Sequence, residues 1–300
     1  MPNAIAIEDL TKLFRDVAAL NGLNMVVPEG SIFGLVGPNG AGKTTAIKIV
    51  MNILHATSGR AQVLSCDSRD LAGSAFCSIG YVSENQKLPE WMHVADFLAH
   101  VRNFYPTWDR ELENDLVKRF DLPAKRKLKM LSRGMRMKVA LASSLAYRPR
   151  LIVMDEPFSG LDPLVRDELI ECLLHGAGEA TGLISSHDLA EIETFATHIG
   201  YLEAGQLRFS EELRSLASRF RQIELDLGAS PLQHGALPES WMHLDVSNST
   251  VRFIESRYDQ GRTPSDILQV FGDVKNATYT SMSLRSIFLA IAKATRETNA

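Results

Sequence analysis

Ile32-Phe33-Gly34-Leu35-Val36-Gly37-Pro38-Asn39-Gly40-Ala41-Gly42-Lys43-Thr44-Thr45 is the stretch on which the reading of this chain turns. Its first five residues are a short apolar run, which predicts a buried strand. A glycine-rich loop follows, and then Ala46, Ile47, Ile49, Val50, Ile53 and Leu54 fit one broad face of a helix. Between strand and helix stands Gly37-x-x-x-x-Gly42-Lys43-Thr44, the pattern of a phosphate-holding loop. Glycines let backbone N–H groups turn inward and approach phosphate oxygens closely. The helix adds its positive N-terminal end. Lys43 is expected to neutralise the β- and γ-phosphates of a nucleotide, and the Thr44 hydroxyl to ligate Mg²⁺. Gly37, Pro38, Asn39, Gly40, Ala41, Gly42, Lys43, Thr44 and Thr45 are therefore the expected phosphate contacts.

A second buried strand, Leu151-Ile152-Val153-Met154, ends at two carboxylates, Asp155 and Glu156. A carboxylate at the end of such a strand stands where the metal of a phosphate site is held. Asp155 is expected to hold Mg²⁺ through water, and Glu156 to polarise the attacking water as general base. A third run, Gly182-Leu183-Ile184-Ser185, ends near His187.

Three further segments keep this order. Leu131-Ser132-Arg133-Gly134-Met135 precedes the second strand, Ser159-Gly160-Leu161-Asp162 follows it, and His187 closes the third. In this combination the chain resembles the nucleotide-binding subunit of an ABC transporter, over roughly residues 4 to 218. The family's LSGGQ signature, its SALD or SGLD D-loop and its switch histidine all have counterparts here. The resemblance implies an α/β fold, a P-loop NTPase of ABC type with a β-rich N-terminal part and an inserted helical subdomain. We expect the ATPase domain at 1–218, with its helical subdomain at about 87–147, and a small C-terminal α/β domain at 219–300.

By the same resemblance, two such subunits, identical or paralogous, pack head to tail with each ATP sandwiched between them. Ser132 and Gly134 would reach the γ-phosphate held by the other subunit, and Asp162 would lie across the interface. His187 would contact the γ-phosphate and hold Glu156 and water in register. Phe14 stands in the place of the aromatic that stacks on adenine, and stacking does not by itself select ATP over GTP. The chain would be a cytoplasmic ATPase, peripheral on the inner face of the membrane, driving a separate integral-membrane permease. The segment Lys87 to Leu98 would receive that permease, with Leu88, Pro89, Trp91 and Met92 as an apolar dock. The LS-x-GM signature and a tail of about 80 residues resemble bacterial exporters of the ABC-2 class.

Two departures from the family pattern stand out. Glu84 follows Ile79-Gly80-Tyr81-Val82 where the family's Q-loop glutamine stands. A carboxylate still ligates Mg²⁺ but adds negative charge beside the phosphates, and Gln86 is the alternative if the loop is remodelled. The signature carries Arg133 and Met135, and Arg133 is expected to face solvent.

Composition narrows the rest. The chain has 300 residues, 45% hydrophobic and 23% charged, which suffices for one large or two ordinary domains with a buried core. A net charge of -4 gives no surface for tracking nucleic-acid phosphates, and no nucleic-acid partner is expected. Cys66, Cys77 and Cys172 show no metal-ligand spacing and read as free thiols, so the N-x-[ST] matches at Asn248 and Asn276 carry no meaning. Neither a secretory signal nor an apolar run of the ~18 residues needed to span a membrane is visible. The alternatives are a soluble ABC-type ATPase and a nucleotide-dependent regulatory module without a permease. A single phosphate loop, and too short a stretch from Thr45 to Leu131 for a long coiled coil, count against the first. Glu156 and His187 count against the second, and Glu84 keeps it open.

Overall fold

Alternation of apolar residues builds the first strands. β1 (Asn3–Phe14) buries Ile5, Ile7 and Leu10 and pairs antiparallel with β2 (Val17–Pro28). Asn21-Gly22, which reads as a turn, lies inside β2. Gly22 takes φ +63° and its N–H donates to Thr11 Oγ1 at 3.0 Å, so the pair forms an irregularity in the ladder. The structure is a computed structural model and describes residues 2–228, 237–247, 249–272 and 274–298. It divides into two units, Met1–Ser210 and Glu211–Ala300.

In the first unit, β3 (Ile32–Val36) leads through the glycine-rich loop into α1 (Lys43–Val50). The helix is shorter than its apolar pattern: Met51 caps it and Asn52 turns to φ +53°, which leaves Ile53 exposed and Leu54 packed from outside the helix. β4 (Ser58–Val63) pairs with β1, and β5 (Cys66–Asp67) completes a sheet of order β2-β1-β4-β5. After β6 (Ile79–Ser83) come α2 (Val94–Arg102), α3 (Arg110–Arg119) and α4 (Arg133–Leu145), within the stretch expected to be helical. The chain then alternates through β7 (Leu151–Asp155), α5 (Pro163–Ala177), β8 (Thr181–Ser186), α6 (Leu189–Ile192), β9 (His198–Glu203) and β10 (Gln206–Glu212). The resulting sheet has the order β10-β9-β3-β8-β7-β6, and β6, β7, β8, β3 and β9 run parallel. Such strands are buried on both faces and need continuous apolar runs. Leu151–Asp155 and Thr181–Ser186 are accordingly buried at every position.

The second unit begins before the expected boundary of 218/219. α7 (Leu213–Arg219) belongs to it, because Arg219 pairs with Glu211 and donates to the Ser256 carbonyl. Strands β11 (Arg221–Asp226), β12 (Trp241–Ser247) and β13 (Thr250–Glu255) precede α8 (Arg262–Phe271), β14 (Asn276–Ser281) and α9 (Leu284–Thr298). The sheet order is β12-β13-β11-β14, and Ile223, Leu225, Val251 and Phe253 pack with Ile267, Val270 and Phe271 of α8. In β12, His243 at φ +51° shifts the register, so Trp241 and Leu244 reach this core while Val246 is exposed. Thr263-Pro264-Ser265-Asp266 reads as a capped helix start, but α8 begins at Arg262, because Asp259 Oδ1 accepts from the N–H groups of Gly261 and Arg262 at 2.9 Å each. Ser247-Asn248-Ser249-Thr250 reads as a turn, and its Asn248 lies outside the described residues.

The three cysteines are free. Among the described residues, no helix is long and apolar enough to cross a membrane. Leu183 has no exposed surface and sits in β8 between β3 and β7. Leu183→Ala is expected to lower unfolding free energy by about 2–5 kcal/mol. Removing the exposed Leu268 side chain should change it by less than ~0.5 kcal/mol. Equilibrium urea unfolding of both variants checks the contrast.

Candidate active site

Register gathers the site. Val36 lies opposite Ser186, Asp155 opposite Ser185, and Ser83 opposite Asp155. The four parallel strands therefore end along one edge of the sheet, where open α/β sheets bind ligands. The phosphate loop leaves β3 there, His187 leaves β8, Glu156 leaves β7 and Glu84 leaves β6.

Two glycines of the loop are dictated by space. A Cβ on Gly37 would lie 2.1 Å from the Leu202 carbonyl oxygen, and the Gly37 N–H donates to Ser186 O at 3.3 Å. Gly42 takes φ +108° just before α1, with the Ala19 carbonyl oxygen 2.5 Å from where a Cβ would stand. Pro38, Asn39 and Gly40 are exposed, Ala41 is buried with its N–H on Pro38 O at 3.1 Å, and Thr45 is half-buried. Lys43 folds back under the loop. Its ammonium donates to Gly37 O at 2.6 Å and Pro38 O at 3.2 Å, and pairs with Glu156 Oε1 at 3.1 Å, although only 5% of the side chain is exposed.

Asp155 and Glu156 divide into two environments. Thr44 donates to Asp155 Oδ1 at 3.0 Å and Ser185 donates to the same oxygen at 2.8 Å. Burial pushes the Asp155 carboxyl above its ordinary value, against the pull of these two hydroxyls. Glu156 sits at φ +50°, a conformation costly for a residue with a side chain and typical of functional sites. Its N–H is held by Ser185 Oγ at 2.9 Å. Its Oε2 meets His187 Nδ1 at 2.8 Å and the His187 N–H at 3.3 Å, while Oε1 meets Lys43. The hydrogen bond to Glu156 raises the His187 pKa, with burial opposing. One carboxylate thus bridges the loop lysine and the histidine.

The sequence marks Ser185 only as the end of a strand; its signal is a hydroxyl directly after the apolar pair Leu183-Ile184. Glu191 was also missed. It is buried, accepts from Ser186 Oγ, and is pushed above the usual carboxylate range by that burial. Nothing local in the sequence marks it.

The other expected residues lie on neighbouring elements. Ser132 is the N-cap of α4, its Oγ accepting from the Met135 N–H at 3.2 Å. Gly134 is buried, with Val165 Cγ1 2.8 Å from where a Cβ would stand, so α4 packs closely on α5 there. Asp162 caps α5 through the Val165 N–H at 3.1 Å. Among the described residues, no hydrogen bond joins Ser132, Gly134 or Asp162 to Lys43, Asp155 or Glu156. Phe14 is half exposed at the end of β1, with the Lys12 ammonium 5.1 Å from its ring centre. Glu84 donates its N–H to Asp155 O at 2.9 Å, and its carboxylate pairs with Arg133. Arg133 is therefore engaged, not simply turned to solvent. Gln86 Oε1 accepts from the Ser83 N–H at 3.4 Å.

A metal fits this donor set. Asp155 and Thr44 offer hard oxygens, and among the described residues no group of three or more His, Cys, Asp or Glu could enclose an ion. Mg²⁺ is held in this sparse way, completing its shell with water and phosphate.

The profile of the ABC transporter family matches residues 20–159. The ABC transporter ATP-binding protein YhaQ of Bacillus subtilis is 30% identical over 72% of this chain and 74% of its own. The bacitracin transport ATP-binding protein BcrA of Enterococcus faecalis is 29% identical over 90% of this chain and 89% of its own, which carries the match into the second unit. A solved ATP-binding subunit of an ABC transporter superposes with a TM-score of 0.65 at 26% identity, over 72% of this chain and 92% of that one. The chain belongs to the ABC transporter family, as one of its ATP-hydrolysing ATP-binding proteins.

Proposed function

We propose that two copies of this chain, or the chain and a paralogue, close head to tail on ATP and hydrolyse it to drive export through a separate membrane permease. The observation that carries the catalytic part is Glu156, fixed between Lys43 and His187 at the mouth of the phosphate loop. The loop N–H groups and Lys43 bind the phosphates, and Phe14 stacks on the base. Glu156 takes the proton of the attacking water, and His187 keeps that carboxylate oriented toward the γ-phosphate. Asp155 and Thr44 would hold Mg²⁺, which when bound neutralises charge on the transferring phosphoryl group. Ser132 and Gly134 complete the partner's site, with Asp162 at the interface.

Export is supported by the LS-x-GM signature and by a relative whose name is bacitracin transport. The proposed permease dock is a groove of about 500 Å³, lined by Ile53, Phe76, Leu88, Phe97, Tyr105 and Tyr147. Leu88 of the expected dock lines it, while Trp91 stands 72% exposed. Through that contact the chain would work at the cytoplasmic face of the membrane. The second unit, which continues the match to the bacitracin relative, is an accessory domain.

Glu156→Gln is expected to lower turnover by about 10²–10⁴-fold and to leave ATP binding intact. Phosphate release and equilibrium binding of labelled ATP measure the two. A wild-type rate no higher than the variant's would reject the reading. Leu88→Glu should lower the fraction of chain recovered with native-host membranes at least about fivefold, read by quantitative immunoblot.

The His187–Glu156 pair also has a pH signature. A raised histidine pKa contributes stability that is complete below the unfolded value of 6.5 and is lost as pH rises through the folded value. The melting-temperature advantage of wild type over His187→Gln should therefore be largest near about pH 6 and shrink by about pH 9.

A further inference from the structure

Arg133 is the first residue of α4, directly after the cap Ser132, and its guanidinium donates to the Glu84 carboxylate. The same guanidinium lies against the turn before α5: a Cβ on Gly160, which sits at φ +66°, would be 2.8 Å from Arg133 Nη1. Glu84 in turn is fixed to the catalytic edge, its N–H on the Asp155 carbonyl at 2.9 Å. One side chain therefore links the end of β6 to the start of α4 and packs against the Ser159-to-Asp162 turn. The pair also lines a groove of about 620 Å³ together with Lys87, Leu88, Arg136 and Met137.

The two partners are the two charged residues at which this sequence leaves its family's pattern, and they are in contact. Arg133 neutralises the charge that Glu84 adds beside the phosphates. Fold stability does not account for the pair, because Arg133 is 48% and Glu84 29% exposed, and exposed ion pairs add little to folding. A planar guanidinium paired with a carboxylate on one side and packed against Gly160 on another does, however, restrict the helix it opens.

We propose that Arg133 and Glu84 are a positioning pair that locks Ser132, Gly134 and Asp162 to the Asp155 edge, and so sets how tightly a second copy closes on ATP. The proposal rests on the composite-site reading above. The pair acts through those residues, and Glu84 serves Arg133 ahead of the metal.

The test is a double-mutant cycle in the full-length Glu156→Gln chain, with self-association measured by sedimentation velocity across ATP concentrations. Arg133→Ala and Glu84→Ala should each weaken ATP-driven association by about tenfold or more. The double variant should be no weaker than the worse single within about twofold, because one removal already breaks the pair. ATP affinity of the separated chains, by equilibrium dialysis with Mg²⁺, should move less than about threefold in every variant, and melting temperature less than about 3 °C. A double variant as weak as the product of the singles, or singles without effect, overturns the proposal. So does a Glu84→Ala loss of Mg²⁺-dependent ATP affinity that Arg133→Ala does not share, which would make Glu84 a metal ligand. A larger fall in melting temperature makes the pair a folding element and overturns it too. A Glu156→Gln parent that stays monomeric at saturating ATP rejects the composite site itself, and the pair with it. A parent that dimerises while the cycle fails rejects the pair alone.

Discussion

Everything at the catalytic edge depends on the parallel register of four strands. Asp155 faces Ser185 across β7 and β8, and Val36 faces Ser186 across β3 and β8. A slip of one residue would turn every side chain of the slipped strand to the other face. Asp155 would then lose Ser185 and Thr44, and a buried carboxylate without donors is expensive. The register is protected by burial, since β7 and β8 are buried on both faces and a slip would carry Asp155 away from its hydroxyl donors with no exposed side to relieve it. The cost of burying Asp155 and the accuracy of the strand pairing are thus one constraint seen from two ends.

That constraint also explains where the charges are placed. Lys43 is almost fully buried, yet its ammonium meets two carbonyls of its own loop and the Glu156 carboxylate. Buried charges persist when paired and hydrogen-bonded in this way. Glu156 accepts a left-handed backbone, and that strain is sustained by contacts on three sides: Ser185 on its N–H, Lys43 and His187 on its carboxylate. The general-base role proposed for Glu156 needs its carboxylate aimed before the substrate arrives, and these contacts hold it in one place.

Much of this was legible because it is local. The phosphate loop is contiguous, its glycines answer to nearby backbone, and the apolar runs that end at Asp155 and Ser185 are the strands. What escaped was set by distant partners. Asn21-Gly22 carries the composition of a turn, but pairing of β2 with β1 absorbs it as a ladder irregularity. The pattern of α1 continues through Leu54, yet Asn52 ends the helix and the later apolar residue packs from a loop. In β12, Met242, Leu244 and Val246 alternate in the sequence as a half-buried strand would, and the left-handed His243 breaks that phase. Gly134 reads as a phosphate contact by analogy, whereas its immediate physical demand is the close approach of Val165. Ser185 is hidden for the same reason: its partners, the Asp155 carboxylate and the Glu156 N–H, lie at the end of another strand about 30 residues away.

Glu84 and Arg133 show the same limit in charge. Taken singly, one adds a negative charge beside phosphates and the other puts a long cation into a signature that elsewhere has glycine. They are far apart in sequence, on opposite sides of the helical insertion, and only the fold brings them together. The arithmetic then closes. A glutamine and a glycine sum to zero, and so do a glutamate and an arginine. The edge of the site keeps the net charge of the family pattern while gaining a fixed link between β6 and α4 that uncharged residues there would not provide. Two departures that each weaken the likeness when read along the chain become one neutral contact when read across it.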